Sequence, residues 1–451
     1  MVLLQYIARA VSDQTNLHPL GAAALALIVI ATLSVKRAHA LIPFLVILTL
    51  ISAGQRIVIV GLDFTFLRIA TLVLWARVLF RREHVGLKFT AIDYTVFALG
   101  GWALMANVLL HLDPNKVLMQ IAKTIESVGG YIAFRALVRS PEDLKALSRS
   151  FAVLAIISAG FFLFEVSTQR NAFAIFGGVN EFTAVREGRL RCQGPYAHPL
   201  MAGCFWASTA PIIAVPLFYR GNSRMLHTLG LAACVIVVGT TASSTPVAAL
   251  GAGVLGAALY PVRVVVPVLR YSSFFIIAVL HAVMKAPVWH LIGRMKLVGG
   301  STGFHRFYLI DNFLKNWDEW ILWGQVSTEH WGHMMWDLTN QFVLMGVRGG
   351  IIQLTLFVIL LVLCFQAVGK IMRQSKSKPM KLWGWAAGVC LWVHCVGFFG
   401  VSYFGSNTPQ LYLCFAIFSA LLSMHQTQRK RMKAKRRRRQ APFLAIQPTG
   451  A

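Results

Sequence analysis

Three short stretches of this chain concentrate the residue types that do chemistry. The first holds Arg186, Arg189 and Arg191 within six residues, followed by Gln193, His198 and Pro199. A guanidinium keeps its charge and forks onto phosphate oxygens in a bidentate manner, so three of them suit a phosphate or diphosphate ligand. Their plainer reading is contact with lipid head groups or pairing with Glu181 and Glu187. The second stretch is STGFHRFYLIDN, Ser301 to Asn312, with His305 and Arg306 adjacent; there the plainer reading is interfacial anchoring through Phe304, Phe307 and Tyr308. The third is STEHWGHMMWDLTNQ, Ser327 to Gln341, which carries Glu329, His330, His333, Asp337 and Asn340. On a helix His333 and Asp337, four apart, share a face. A histidine held by a carboxylate is a general base suited to neutral pH. His330, His333 and Asp337 could also ligate zinc, but H-E-x-x-H is absent. There is no G-x-S-x-G and no P-loop either, so neither a metal nor another cofactor is expected.

The elements that must position these residues lie in lipid. Of 451 residues 57% are hydrophobic and 13% charged, far from the balance of a soluble domain. The expected fold is an all-α polytopic membrane protein with about 13 spans (range roughly 11–14). The predicted spans are 19–35, 41–60, 66–80, 92–110, 117–137, 150–168, 199–219, 226–241, 244–260, 271–290, 340–368, 383–403 and 408–424. Every second loop is basic, with Lys36 and Arg37, then Arg77, Arg81 and Arg82, then Arg135 and Arg139, and finally the tail RKRMKAKRRRR from Arg429. The positive-inside rule puts those loops and the C-terminus in the cytoplasm and the N-terminus outside. The chain then divides into an N-terminal segment (1–18), N-terminal membrane helices (19–168) and an extracytoplasmic arginine-rich loop (169–198). Central helices (199–290), a large extracytoplasmic loop (291–339), C-terminal helices (340–424) and a basic tail (425–451) follow.

The net charge of +27 resembles that of a nucleic-acid binder, but its distribution in loops and tail fits anionic lipid instead. No nucleic-acid partner is expected. The seven cysteines fall mostly in apolar segments without a C-x-x-C and read as small hydrophobes. No cleavable signal peptide is expected, because the first apolar run lacks a basic start. Lys123, Glu126, Glu165 and His394 are ionisable residues inside predicted spans, where such groups are functional candidates. Gly251, Gly253 and Gly256 predict close helix packing. The late loop's tryptophans, including Trp331 and Trp336, suit an interfacial belt or a platform on which sugars stack.

Together the three stretches resemble the bacterial O-antigen ligase and O-antigen polymerase superfamily, in its exopolysaccharide-pathway branch. RCQGPYAHP, Arg191 to Pro199, looks like the arginine-led motif that enters a span in that family. Arg306 in GFHRFYLI matches its second arginine, and DLTNQFVLMGVRGG, Asp337 to Gly350, its late stretch with paired glycines. The resemblance implies a polysaccharide polymerase or ligase, a metal-independent and inverting glycosyltransferase of the bacterial inner membrane whose active site faces the periplasm. Its donor would be an oligosaccharide on undecaprenyl diphosphate and its acceptor a glycan. A flippase and a chain-length regulator of the same pathway are the implied partners, beside membrane lipids. Arg191 and Arg306, with Arg189 and Arg186, would bind the donor diphosphate. His198, Gln193, Asn340, Trp331 and Trp336 would contact saccharide. Two positions depart from the pattern. Where the family carries a His-Asn pair this chain has Met335 and Trp336, which leaves His333 as first candidate base with His330 and His305 behind it. Asp337 or Asn340 would orient that base. Where many members carry a mid-chain arginine this chain reads SSTP, Ser243 to Pro246, so Arg189 or Arg186 would replace that charge. The rival from another class is a transporter or flippase of lipid-linked saccharides, which predicts ionisable residues lining a path through the bilayer.

Overall fold

The computed structural model describes residues 14–59, 62–218, 223–294 and 303–444. The chain is 74% helical with almost no sheet. The first half contains α1 (Pro19–Ser34), α2 (Ile42–Leu50), the hairpin β1 (Arg56–Ile59) and β2 (Leu62–Thr65), α3 (Phe66–Phe80) and α4 (Ala91–His111). Next come α5 (Pro114–Thr124), which continues through a π-helical turn into α6 (Gly130–Leu137), and α7 (Pro141–Thr168). A second hairpin, β3 (Ala184–Arg186) and β4 (Arg189–Arg191), leads to α8 (Pro199–Ala214), α9 (Arg224–Thr240), α10 (Ser244–Ala258) and α11 (Val266–Val283). The late loop holds α12 (Leu291–Arg294), α13 (Gly303–Lys315) and α14 (Trp317–Trp320). The chain closes with α15 (Gln341–Gln374), α16 (Lys378–Phe398) and α17 (Asn407–Leu444).

Local sequence sets the helix starts. Proline stands at the first turn of α1, α5, α7 and α8, where its missing N–H is unneeded. Ser140 with Asp143 forms a capping box on α7. Among the described residues five helices are long and apolar enough to cross a membrane: Ala91–His111, Pro141–Thr168, Pro199–Phe218, Val266–Val283 and Gln341–Gln374. α11 buries none of its apolar window against the rest of the chain. A bare helix carrying exposed Phe274, Phe275, Ile276 and Ile277 is stable only where the solvent is itself apolar. The protein is a membrane protein.

The basic loop residues gather at one end of the bundle, where several are ties between elements. Arg77 is buried and donates to the carbonyls of Thr32 (2.6 Å) and Val35 (2.8 Å) while pairing with Glu83. Arg37 pairs with Asp143 at 3.2 Å. Arg135 pairs with the fully buried Asp93 at 3.3 Å, and Ser419 on α17 donates to the same carboxylate.

Four expectations need revising. The predicted span 41–60 is helical only over α2; Gln55 and Arg56, too polar to continue it, open the β1–β2 hairpin. The span predicted at 271–290 lies seven residues earlier at its end, because Pro287 terminates it. The helix predicted as the span 408–424 continues through the basic tail as far as Leu444 in α17; residues 445–451 lie outside the described residues. Residues 332–340 form turns and extended chain, so His333 and Asp337 do not share a helix face. Gly332 (φ 144°) and Met334 (φ 60°) depart from helical geometry there.

Candidate functional site

At the opposite end from the basic ties, two arginines from distant loops meet the first turn of α10. Arg191, the last residue of β4, donates through Nη2 to Ser243 Oγ at 3.0 Å. Arg306, on α13, donates through Nη2 to Thr245 Oγ1 at 2.9 Å. The Nε of each is buried without a hydrogen-bond partner. Among the described residues no carboxylate pairs with Arg186, Arg189, Arg191 or Arg306, and Glu181 is taken by Arg170 at 3.0 Å. Burial lowers the pKa of both Arg191 and Arg306, and the charge of Arg186 lowers each further. A desolvated cationic cluster with unused N–H donors and no counter-ion is arranged for an anion.

The arginine-led motif is itself a piece of construction. Glu165 on α7 accepts the backbone N–H of Gln193 (3.1 Å) and Gly194 (2.9 Å) and the Thr183 hydroxyl (3.2 Å). Asn171 donates to the Gly194 carbonyl at 2.7 Å, and Cys192 N–H bonds Thr240 O at 3.1 Å. Gly194 sits at φ +54°, where a Cβ would lie 2.5 Å from Phe162. These bonds fix where Arg191 emerges. His198 caps α8: its Nδ1 accepts the Leu200 N–H at 3.1 Å, which leaves the proton on Nε2. Burial, helped by the Arg191 charge, pulls its pKa down to about 4. It is therefore neutral at physiological pH.

The candidate bases separate clearly. His305, next to Arg306, bonds the main-chain carbonyl of Asp337 through Nε2 at 3.0 Å. A carbonyl only accepts, so Nε2 carries the hydrogen and Nδ1 is left free to take a proton. The Asp337 carboxyl is raised by burial, against a smaller lowering by His305. His333 is exposed, without a bond to Asp337. His330 is bound to Glu319 at 2.7 Å; Trp331 Nε1 bonds the same oxygen and, with His330, holds the Glu319 carboxyl below its usual range.

Several predicted saccharide contacts serve the fold instead. Trp331 is buried in a small core with Leu309, Phe313, Trp320 and Met335 that seats the late loop on α15. Asn340 is buried and caps α15 through the N–H groups of Phe342 and Val343. Gln193 is also buried, whereas Trp336 is exposed. Arg186 and Arg189 face each other across the β3–β4 hairpin with exposed side chains. Ser301 lies outside the described residues.

Sequence reasoning missed Ser243 and Thr245 as arginine partners, although SSTP stood out as the place where a charge was absent. It also missed the pair His290–Asp311 (2.8 Å), which Trp289 supports at 2.6 Å. His330, His333 and Asp337 do not converge as metal ligands. Among the described residues the group that could hold a metal is Cys390, His394 and Cys414, with ligand atoms within 4.8 Å of one another between α16 and α17. The chain matches no protein-family model and no curated protein.

Proposed function

We propose that the protein is an extracytoplasmic glycosyltransferase that polymerises or ligates saccharides carried on undecaprenyl diphosphate. It would be a multi-pass protein of the bacterial inner membrane with a cytoplasmic C-terminus. The observation that carries the reading is the convergence of Arg191 and Arg306 on Ser243 and Thr245 without a counter-ion. The up-and-down course of the helices supports about 13 passes, with the basic ties at one end and both arginine loops at the other.

In this reading the two guanidiniums receive the diphosphate as the glycosidic C1–O bond breaks. Fixed donors placed where charge develops are the largest single contribution an enzyme makes. His305 Nδ1 takes the proton of the acceptor hydroxyl, whose oxygen attacks C1 from the opposite side and inverts it. Neither step requires a metal. His305 replaces His333 as the favoured base because it lies beside Arg306 with its tautomer fixed.

A transporter is the second reading, favoured by the break in α15 at Gly349 and Gly350, since broken helices commonly line transport sites. The deciding experiment supplies purified protein with an undecaprenyl-diphosphate oligosaccharide in the presence of a chelator. Release of undecaprenyl diphosphate with lengthening of the lipid-linked glycan is expected from wild type and not from Arg191→Ala. Release only on adding another acceptor identifies a ligase. Movement of the lipid across a bilayer without release overturns the enzyme reading.

A further inference from the structure

A cavity of about 870 Å³ opens among α4, α5, α15 and α17. Its lining includes Lys116, Lys123 and Arg348, three cations from α5 and α15. Two carboxylates also line it. Glu126 is committed to Arg68 at 2.8 Å and to the Thr65 hydroxyl. Glu329 is exposed and, among the described residues, makes no ion pair. Lys123 stands within electrostatic reach of Arg348 and Arg68 as like charges and of Glu126 as an opposite one. Arg348 has no hydrogen bond or ion pair among the described residues, on a helix otherwise apolar enough to cross a membrane.

The chain fixes Arg348 with care. α15 breaks immediately after it, with Gly349 at φ −164° and Gly350 at φ +67°. Late-loop residues enter the break: Gln325 N–H bonds Val347 O at 2.7 Å and Ile351 N–H bonds Ile321 O at 2.9 Å. Trp102 donates to Gly349 O at 2.7 Å. A Cβ on Gly350 would lie 2.2 Å from Leu322 O, so the break admits glycine alone. In transporters, discontinuous membrane helices help to form substrate and ion sites near their breaks. The remaining wall is mixed: Leu344, Met345 and Phe415 give it an apolar side, and Asn107, Gln120 and Gln353 are among its polar groups. Cations above an apolar side match an amphiphile with an anionic head.

Residues of the cavity wall are close chain neighbours of both halves of the proposed chemistry. Trp336 and Leu338 line it, and Asp337 between them holds His305. Tyr403 lines it, while Gly400 packs against Thr245, the partner of Arg306.

We propose that Lys123 and Arg348 form a second anion site, distinct from Arg191 and Arg306, that seats the phosphate-bearing head of a second prenyl-diphosphate saccharide, the acceptor. The acceptor role rests on the glycosyltransferase reading; the site itself does not. With the donor on Arg191 and Arg306, an acceptor anchored here presents its sugar hydroxyl to His305 from the cavity side.

The test is native mass spectrometry of the full chain in detergent, titrated with undecaprenyl diphosphate. Wild type is expected to bind two lipids. The double variant Lys123→Gln/Arg348→Gln should keep one, and that retained lipid reports an intact fold; Arg348→Lys alone should keep two. Arg191→Ala/Arg306→Ala should also keep one, and the combined variant none. Two lipids retained by Lys123→Gln/Arg348→Gln overturns this site. Two lipids retained by Arg191→Ala/Arg306→Ala overturns the donor assignment and leaves this site standing. Competition by inorganic diphosphate at the lipid's own concentration would overturn the lipid assignment in favour of a free anion.

Discussion

Arg191 and Arg306 are 115 positions apart in sequence, yet their side chains are held by hydroxyls two residues apart, Ser243 and Thr245. A short turn of small polar residues at the head of α10 thus sets the spacing of two guanidiniums. Replacing both hydroxyls leaves each charge present but unguided. Ser243→Ala/Thr245→Val is expected to lower kcat/KM for the lipid-linked donor by about 100-fold, the typical loss for a small misplacement at a reacting centre. Steady-state assay of diphosphate-lipid release checks this. Activity within twofold of wild type would show that the arginines are positioned by something else.

The base assignment separates two histidines in one assay. His305→Gln should lower single-turnover rate by roughly 10²- to 10⁴-fold with donor affinity little changed, as loss of a general base does. His333→Gln, an exposed position, should stay near wild type. The reverse ranking returns the base to His333.

His198 makes stability depend on acid. Its folded pKa of about 4 lies below the ordinary histidine value of about 6.5. The unfolded chain therefore binds the proton more readily between those values. Stability is complete above about pH 6.5 and falls as pH drops toward 4, by at most about 1.4 kcal/mol per pH unit. Partial exposure reduces that figure. His198→Asn retains a cap on α8 and should flatten this part of the profile. Thermal denaturation in detergent between pH 4 and 7, wild type beside variant, reads the difference. Bound diphosphate next to His198 should raise its pKa, visible by histidine NMR.

The Asp93–Arg135 pair gives the clearest stability prediction. Asp93 is 0% exposed and Arg135 3%. Asp93→Ala strands a buried guanidinium and should destabilise the bundle by about 3–5 kcal/mol. A large fall in the unfolding midpoint is expected; an unchanged midpoint would mean that water reaches Arg135 in the variant.

Much of this architecture is legible in the sequence because lipid imposes a simple rule. Apolar length marks α4, α7, α8, α11 and α15, and proline and serine mark where several helices start. Arg191 and Arg306 are legible too, since a charge beside a span needs a reason. What the sequence conceals is long-range. Ser243 and Thr245 look like ordinary small residues of a packed helix until two distant loops fold onto them. The late loop misleads in the other direction: His333 and Asp337 have helical spacing, but the small core around Trp331 and Met335 holds that segment in turns. Trp331 and Asn340 carry the residue types of sugar contacts, yet packing and capping claim them first. Arg348 hides in the paired-glycine motif because the glycines, not the charge, draw the eye.

α11 behaves unlike its neighbours. With none of its apolar window buried, its residues answer chiefly to lipid, apart from His281, which accepts the Val288 N–H and stacks on Trp289. It is a leash of fixed length leading from the core helices to the loop that bears Arg306. Its lettering ahead of His281 should therefore be interchangeable, any greasy helix of equal span doing the same service, whereas changing its length would move one end of the site relative to the other.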